Sequence, residues 1–176
     1  MKVISIKDPW ATLIARGVKD VENRTWSTTH RGPLLIHTSL QYDRNAHADK
    51  VAAAAMVDDD RVRRLRPADM PRGMIIGVAT IHDVHHSLGA RTCYNSPDGP
   101  CSLWGQYGAW HFMLSDMRRL ETPVPWRGSL GIRSTPFDIH GDWLVEMTEG
   151  CTCAGDTQYG HEPGCGLEPL SKLISA

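Results

Sequence analysis

The 176-residue chain has no surplus of either charge: Lys and Arg total 19 against 20 Asp and Glu, a formal net charge of −1. That balance excludes a general attraction to nucleic acid or anionic lipid, so any polyanion has to be met by a local patch. Long apolar runs are missing too. The longest, at residues 51–57 and 74–76, fall well short of the roughly 20 residues that a bilayer crossing takes. No signal-peptide apolar region develops behind Met1, because Lys7, Asp8 and Pro9 arrive at once. A soluble, cytoplasmic chain with no membrane partner is expected. Five cysteines are an odd number, which excludes a fully paired secreted framework, and three of them crowd the last quarter, where thiolate metal ligation suits them better. No internal repeat is evident.

What is present fits one domain of ordinary size with a small appendage. Val3, Ile4, Ser5 and Ile6 make a β-prone run that stops at Asp8-Pro9, an N-cap followed by proline at the first helical position. Trp10, Leu13 and Ile14 recur at helical spacing, and Gly17 stands where a left-handed cap would end the helix. Residues 21–26 then read as extended, with Glu22, Arg24 and Trp26 on one face and a thin apolar side, as at a sheet edge or a cleft. Residues 30–33 are turn chemistry, and 34–38 form a compact apolar strand carrying His37 opposite Ile36.

Asp43 is expected to cap an alanine-rich helix through residue 58. Residues 74–84 read as a central strand with Gly77 as a bulge or bend, 88–108 as a long irregular connection, 109–116 as extended, and 126–132 as a glycine-interrupted strand. The fold class is α+β, a mostly antiparallel β-barrel with flanking helices over residues 1–148. Residues 149–176 stand apart as a tail rich in Cys, His and Gly.

The segment from Gly17 to Arg24 sets Lys19, Glu22 and Arg24 close enough to converge. A carboxylate between two cations favours a fixed ionic network, and the pairing is expected to raise the lysine pKa, which argues against a lysine base unless burial outweighs Glu22. Glu22 as an acceptor and Arg24 as a planar donor fork suit a nucleobase edge or a phosphate. Trp10 and Trp26 offer stacking surfaces worth roughly 1–3 kcal/mol per base. A surface salt-bridge cluster at a helix C-terminus has the same spacing.

These residues resemble the signature GxKxxExR of the ASCH domain, a module of the PUA-like superfamily, matched here at Gly17, Lys19, Glu22 and Arg24. The likeness extends to Ile4-Ser5-Ile6-Lys7 with Pro9-Trp10-Ala11, to the run from Arg31 to His37, and to the strand holding Gly77. It is clear over residues 2–39, looser to 132 and absent from the tail. The resemblance implies a PUA-like barrel whose cleft takes RNA or a modified nucleobase or nucleoside, with Trp10, Lys19, Glu22 and Arg24 as main contacts and Trp26, His37 and Ser39 as additions. Some members of the family are hydrolases, among them an amidohydrolase branch acting on N4-acetylcytidine and a ribonuclease. That branch carries threonine where this chain has Glu22, so hydrolysis by Lys19 and Glu22 stands second to binding.

In the tail, Cys151, Cys153, His161 and Cys165 supply three thiolates and an imidazole, a set suited to a structural Zn²⁺ with no open position. Such a tail would serve a protein-interaction adaptor; reduced cysteines on a disordered tail are the alternative. Cys93 and Cys101 are read as free thiols or a loop disulfide, and His82, His85 and His86 as surface residues. Arg61, Arg63, Arg64 and Arg66 are expected to face solvent, and Trp104, Trp110 and Trp126 to fill the core.

Overall fold

The structure, a computed structural model, describes residues 1–48, 60, 66–87, 93, 101–147 and 168–175. The opening run forms β1 (Lys2–Asp8), and a cis Asp8-Pro9 bond leads into α1 (Trp10–Ala15). Asp8 Oδ1 accepts from the Thr12 amide at 3.0 Å and the Thr12 hydroxyl at 2.7 Å, satisfying a donor that every helix start leaves free. Pro9 itself takes the N-cap position, so the helix starts one residue later than the sequence suggests. Gly17 ends the turn at φ +67°, where glycine is unstrained. The Gly17, Val18 and Lys19 amides return to the carbonyls of Ile14 and Leu13.

The chain continues through β2 (Val21–Arg24), β3 (Gly32–Tyr42), β4 (Met74–His86), β5 (Trp110–Pro125), β6 (Ile132–Ser134), β7 (Phe137–His140), β8 (Trp143–Glu146) and β9 (Glu168–Ser175). The sheet order is β6-β1-β3-β4-β5-β9-β8-β7, with β2 also on β5. β1 and β3 run parallel and the other pairs antiparallel. Strand pairing does not close the ladder among the described residues, so the expected barrel is instead an open, mostly antiparallel sheet. Its two outermost strands, β6 and β7, are nevertheless joined by residues 135–136 alone, a link that spans at most about 11 Å. The sheet is therefore curled, its ends held by covalent chain and by Met1, whose ammonium donates to the Phe137 carbonyl and whose carbonyl accepts from the Thr135 amide.

Curling explains why β1 and β3 read as apolar runs and β4 alternates only weakly: both of their faces are covered. Ile4, Leu34, Ile36, Ala79 and Ile81 pack with Ile14 and Ala15 of α1 on one face. Val3, Leu35, Ile75 and Val78 pack with Phe137, Leu144 and Leu173 on the other. Gly77 permits this layering, since a Cβ there would lie 2.5 Å from the Arg118 carbonyl oxygen and 3.2 Å from Ala15 Cβ.

Three expectations need correction. The helix over residues 43–58 appears, as far as 48, as a 3-10 turn (Arg44–Ala48) behind Asp43, whose carboxylate accepts from the Asn45 amide and the Trp10 indole; the remainder lies outside the described residues. Residues 126–131 form a loop, not a strand, and β6 starts only after Gly131 at φ +72°. Residues 168–175, grouped with the tail by composition, form β9 between β5 and β8, with Leu173 only 3% exposed. No helix of the described residues is long and apolar enough to cross a membrane.

Candidate functional site

The tight turn behind α1 and the short strand β2 bring the three charged heads together as the sequence suggested. Lys19 is 3% exposed; its Nζ donates to the Val21 carbonyl and sits 3.3 Å from Glu22 Oε2. Arg24 Nε lies 3.0 Å from Glu22 Oε1, and Arg24 Nη2 donates to the Ser5 carbonyl at 2.8 Å. Both carboxylate oxygens are thus engaged, which makes the trio a preformed ionic floor. The expected direction of the Lys19 pKa is reversed: burial lowers it from its ordinary value and outweighs the raising effect of Glu22.

Above this floor opens a cleft of about 820 Å³. β1 contributes Ser5 and Lys7, α1 Trp10, β2 Glu22 and Arg24, and β3 His37 and Ser39; Arg72 and the loop at 126–131 complete the rim. The parallel register pairs Ser5 with His37, and their side chains meet at 3.0 Å between Oγ and Nδ1. His37 Nε2 lies 3.0 Å from the Trp126 carbonyl, which can only accept, so the ring proton belongs on Nε2 and Nδ1 receives the Ser5 hydroxyl. Burial lowers the His37 pKa, favouring this neutral form. Gly128 lies against the pair: a Cβ there would sit 2.6 Å from His37 Cε1 and 3.1 Å from Ser5 Oγ.

Of the residues expected to bind a ligand, Trp10, Glu22, Arg24, His37 and Ser39 line this cleft. Lys19 does not. It borders a neighbouring hollow of about 160 Å³ with Trp104 and Asp43, and Trp10 and Glu22 contribute to both hollows. Trp26 also stays outside, packed edge-on against Phe112 at 5.2 Å with the Arg24 guanidinium 5.9 Å from its ring centre. Trp126, expected only to pack, does both: it stacks edge-on against Phe137 at 4.9 Å and lines the cleft. Ser5, Arg72, Arg127 and Gly128 were not singled out from the sequence. The β1–β3 register, the approach to β4 beside Thr38 and the position of the 126–131 loop bring them to the site.

A second cluster lies behind β2. His85 and His111 face each other across β4 and β5, Cys93 pairs with Ser87 in an isolated bridge, and Cys101 precedes β5. One ligand atom from each of the four falls within 4.8 Å of the others. His111 Nδ1 is 3.5 Å from Cys93 Sγ and 3.1 Å from Cys101 Sγ, and both cysteines are free. Burial and the neighbouring Cys93 push the Cys101 thiol up to about 12, while burial lowers the His111 pKa. Of the three histidines read as surface residues, only His82 is exposed; His86 is half-buried against Trp110, and His85 is buried at 6% exposure. Cys151, Cys153, His161 and Cys165 lie outside the described residues, as do Arg61, Arg63 and Arg64.

The ASCH domain family model matches residues 4–121. Activating signal cointegrator 1 from Homo sapiens and its counterpart from Mus musculus are each 33% identical to this chain over 86 residues, 46% of this chain. The match spans only 14% of the length of either relative. Among solved structures, the chain is similar to the crystal structure of ASCH from Zymomonas mobilis, at 15% identity and a TM-score of 0.44, covering 76% of this chain and 86% of that one. A single-residue mutant of the same protein gives 16%, 0.43, 76% and 88%.

Proposed function

This chain belongs to the ASCH domain family, and from that premise we propose that its cleft binds nucleic acid, RNA above all, by taking in a base or modified nucleobase. The observation that carries the reading is a local concentration of cations on a chain of net charge −1. Lys7, Arg72 and Arg127 are all exposed on the lining of one cleft that also holds Trp10 and Trp126. Exposed cations positioned this way meet phosphates, and indole walls offer a planar guest a stacking surface. Ser39 and Gln41 on β3 supply neutral donors and acceptors that suit a base edge. Glu22 and Arg24 contribute as a rigid floor rather than as free reactive groups.

The hydrolytic alternative assigns the chemistry to Lys19 and Glu22. It draws no support from the geometry, because Glu22 is held at both oxygens and Lys19 borders the smaller hollow. Fluorescence anisotropy with labelled single-stranded RNA, with and without N4-acetylcytidine, tests the proposal. The Arg72→Ala/Arg127→Ala pair is expected to reduce the salt slope of log K by about 1.4, at about 0.7 for each phosphate no longer neutralised. Trp10→Leu is expected to cost about 1–3 kcal/mol of binding. An unchanged salt slope together with unchanged affinity in Trp10→Leu sinks the reading, and release of acetate from N4-acetylcytidine by the unmutated protein replaces it with the hydrolytic one.

A further inference from the structure

We propose that His85, Cys93, Cys101 and His111 form a tetrahedral Zn²⁺ site that fastens the connection between β4 and β5 to the turn carrying the ionic trio. Two thiols and two imidazoles are the donor set that structural zinc prefers. Both rings are already oriented for it. His85 Nδ1 lies 2.7 Å from Asp83 Oδ2, and its buried Nε2 has no hydrogen-bond partner among the described residues. His111 Nε2 lies 2.9 Å from the Gln106 carbonyl, so the proton sits there and the Nδ1 lone pair points at both sulfurs. A ligating histidine typically has this arrangement, one nitrogen on the metal and the other donating to a carboxylate or a carbonyl.

The orphaned Nε2 is the decisive point. Burying a ring nitrogen without a partner is unfavourable, and a cation between His85 and the two sulfurs would remove that cost. Zn–N and Zn–S bonds of about 2.0–2.3 Å imply ligand separations of roughly 3.4–3.8 Å. The longest separation, at most 4.8 Å, needs to close by about 1 Å, and the 3.1 Å between His111 Nδ1 and Cys101 Sγ to open slightly. On binding, each cysteine releases its proton and Zn²⁺ accepts two thiolates and two neutral imidazoles. Four protein ligands leave no open position, so the metal is structural.

The site has a mechanical role. Beyond Cys101, the Trp104 indole donates to the Val18 carbonyl at 3.0 Å, Asn23 Nδ2 donates to the Trp104 carbonyl at 2.9 Å, and the Gln106 amide donates to Asn23 Oδ1 at 2.9 Å. A metal on Cys101 would hold this strip against the strand that carries Glu22 and Arg24.

Metal content, measured by elemental mass spectrometry on full-length protein purified from zinc-supplemented cells under reducing conditions, tests the proposal. Cys93→Ser and Cys101→Ser should each lower zinc by one equivalent per chain, whereas Cys151→Ser/Cys153→Ser should leave that equivalent in place. Asp83→Asn keeps all four ligands and should weaken zinc affinity about 10–100-fold in a chelator competition. It gives a readout even if a cysteine variant fails to fold. In the Co²⁺-substituted Cys151→Ser/Cys153→Ser protein, a thiolate charge-transfer band should be present and should be lost on adding Cys93→Ser, in step with the lost equivalent of metal. Zinc-free wild-type protein, a Cys93–Cys101 disulfide persisting in the reduced preparation, or zinc lost only with the tail cysteines would overturn the assignment.

Discussion

The two polar clusters flanking β2 differ in how completely they satisfy themselves. In the charged cluster beside the cleft, Glu22 is met at both oxygens, His37 at both nitrogens, and Lys19 by a carbonyl as well as a carboxylate, while Arg24 Nε, out of hydrogen-bond alignment, still has Glu22 Oε1 at 3.0 Å as its ionic partner. In the His/Cys cluster, one imidazole nitrogen is left over and two thiols crowd the other ring. Buried polar groups that complete one another make a rigid surface, ready to receive a guest from outside. Groups that do not complete one another point to a component still to be added. The first cluster is a platform and the second a socket.

The comparison can be broken hardest at Glu22. Glu22→Ala leaves the buried Lys19 ammonium without its counter-charge and should cost about 3–5 kcal/mol of stability, read from the urea midpoint. Adding Lys19→Met should recover a large part of that loss; no recovery would mean the pair is not a unit. Next in size is Gly128→Ala, whose Cβ meets a ring pinned at both nitrogens. The loop has to shift, at a cost of about 1–3 kcal/mol in thermal unfolding, with weaker RNA binding. Wild-type stability together with wild-type binding would show that the loop does not rest on His37.

A smaller effect concerns acid. The folded pKa of His37 lies below its ordinary 6.5 because of burial. Between those two values the unfolded chain binds a proton that the folded chain refuses, so stability falls as pH drops below about 6.5 and is unaffected by His37 above it. His37→Gln should flatten that part of the profile, and an unchanged slope assigns the acid sensitivity elsewhere. Smallest of all, Arg127→Ala on the exposed rim should leave the melting temperature alone while lowering the salt slope of RNA binding by about 0.7. A shifted melting temperature would make Arg127 part of the scaffold.

Much of the platform was legible because its parts are close in sequence. A helix stop at Gly17 and a short strand after it force Lys19, Glu22 and Arg24 together, whatever the rest of the chain does. The wall opposite was not legible. Ser5 meets His37 only through a parallel β1–β3 register, and Gly128 arrives from a loop 91 residues beyond His37, contacts that no local periodicity encodes. The socket was hidden for the same reason. His85 and His111 become neighbours through a strand pairing whose register shifts at bulges, and cysteine clustering directed attention to the tail. Lys19 misled in a different way: a nearby carboxylate suggested a raised pKa, but tertiary burial, invisible in the local spacing, outweighs it.

The placement of β9 has a consequence for how this chain is made. The last of the described strands lies between β5 and β8, so the β7–β8 hairpin has no strand to pair with until residues 168–175 have left the ribosome. Leu144 and Val145, paired with Ser171 and Pro169 in the finished protein, would lack those backbone partners on the nascent chain until then. A stop codon just after residue 147 would therefore do more than trim a tail: it would strand one edge of the sheet.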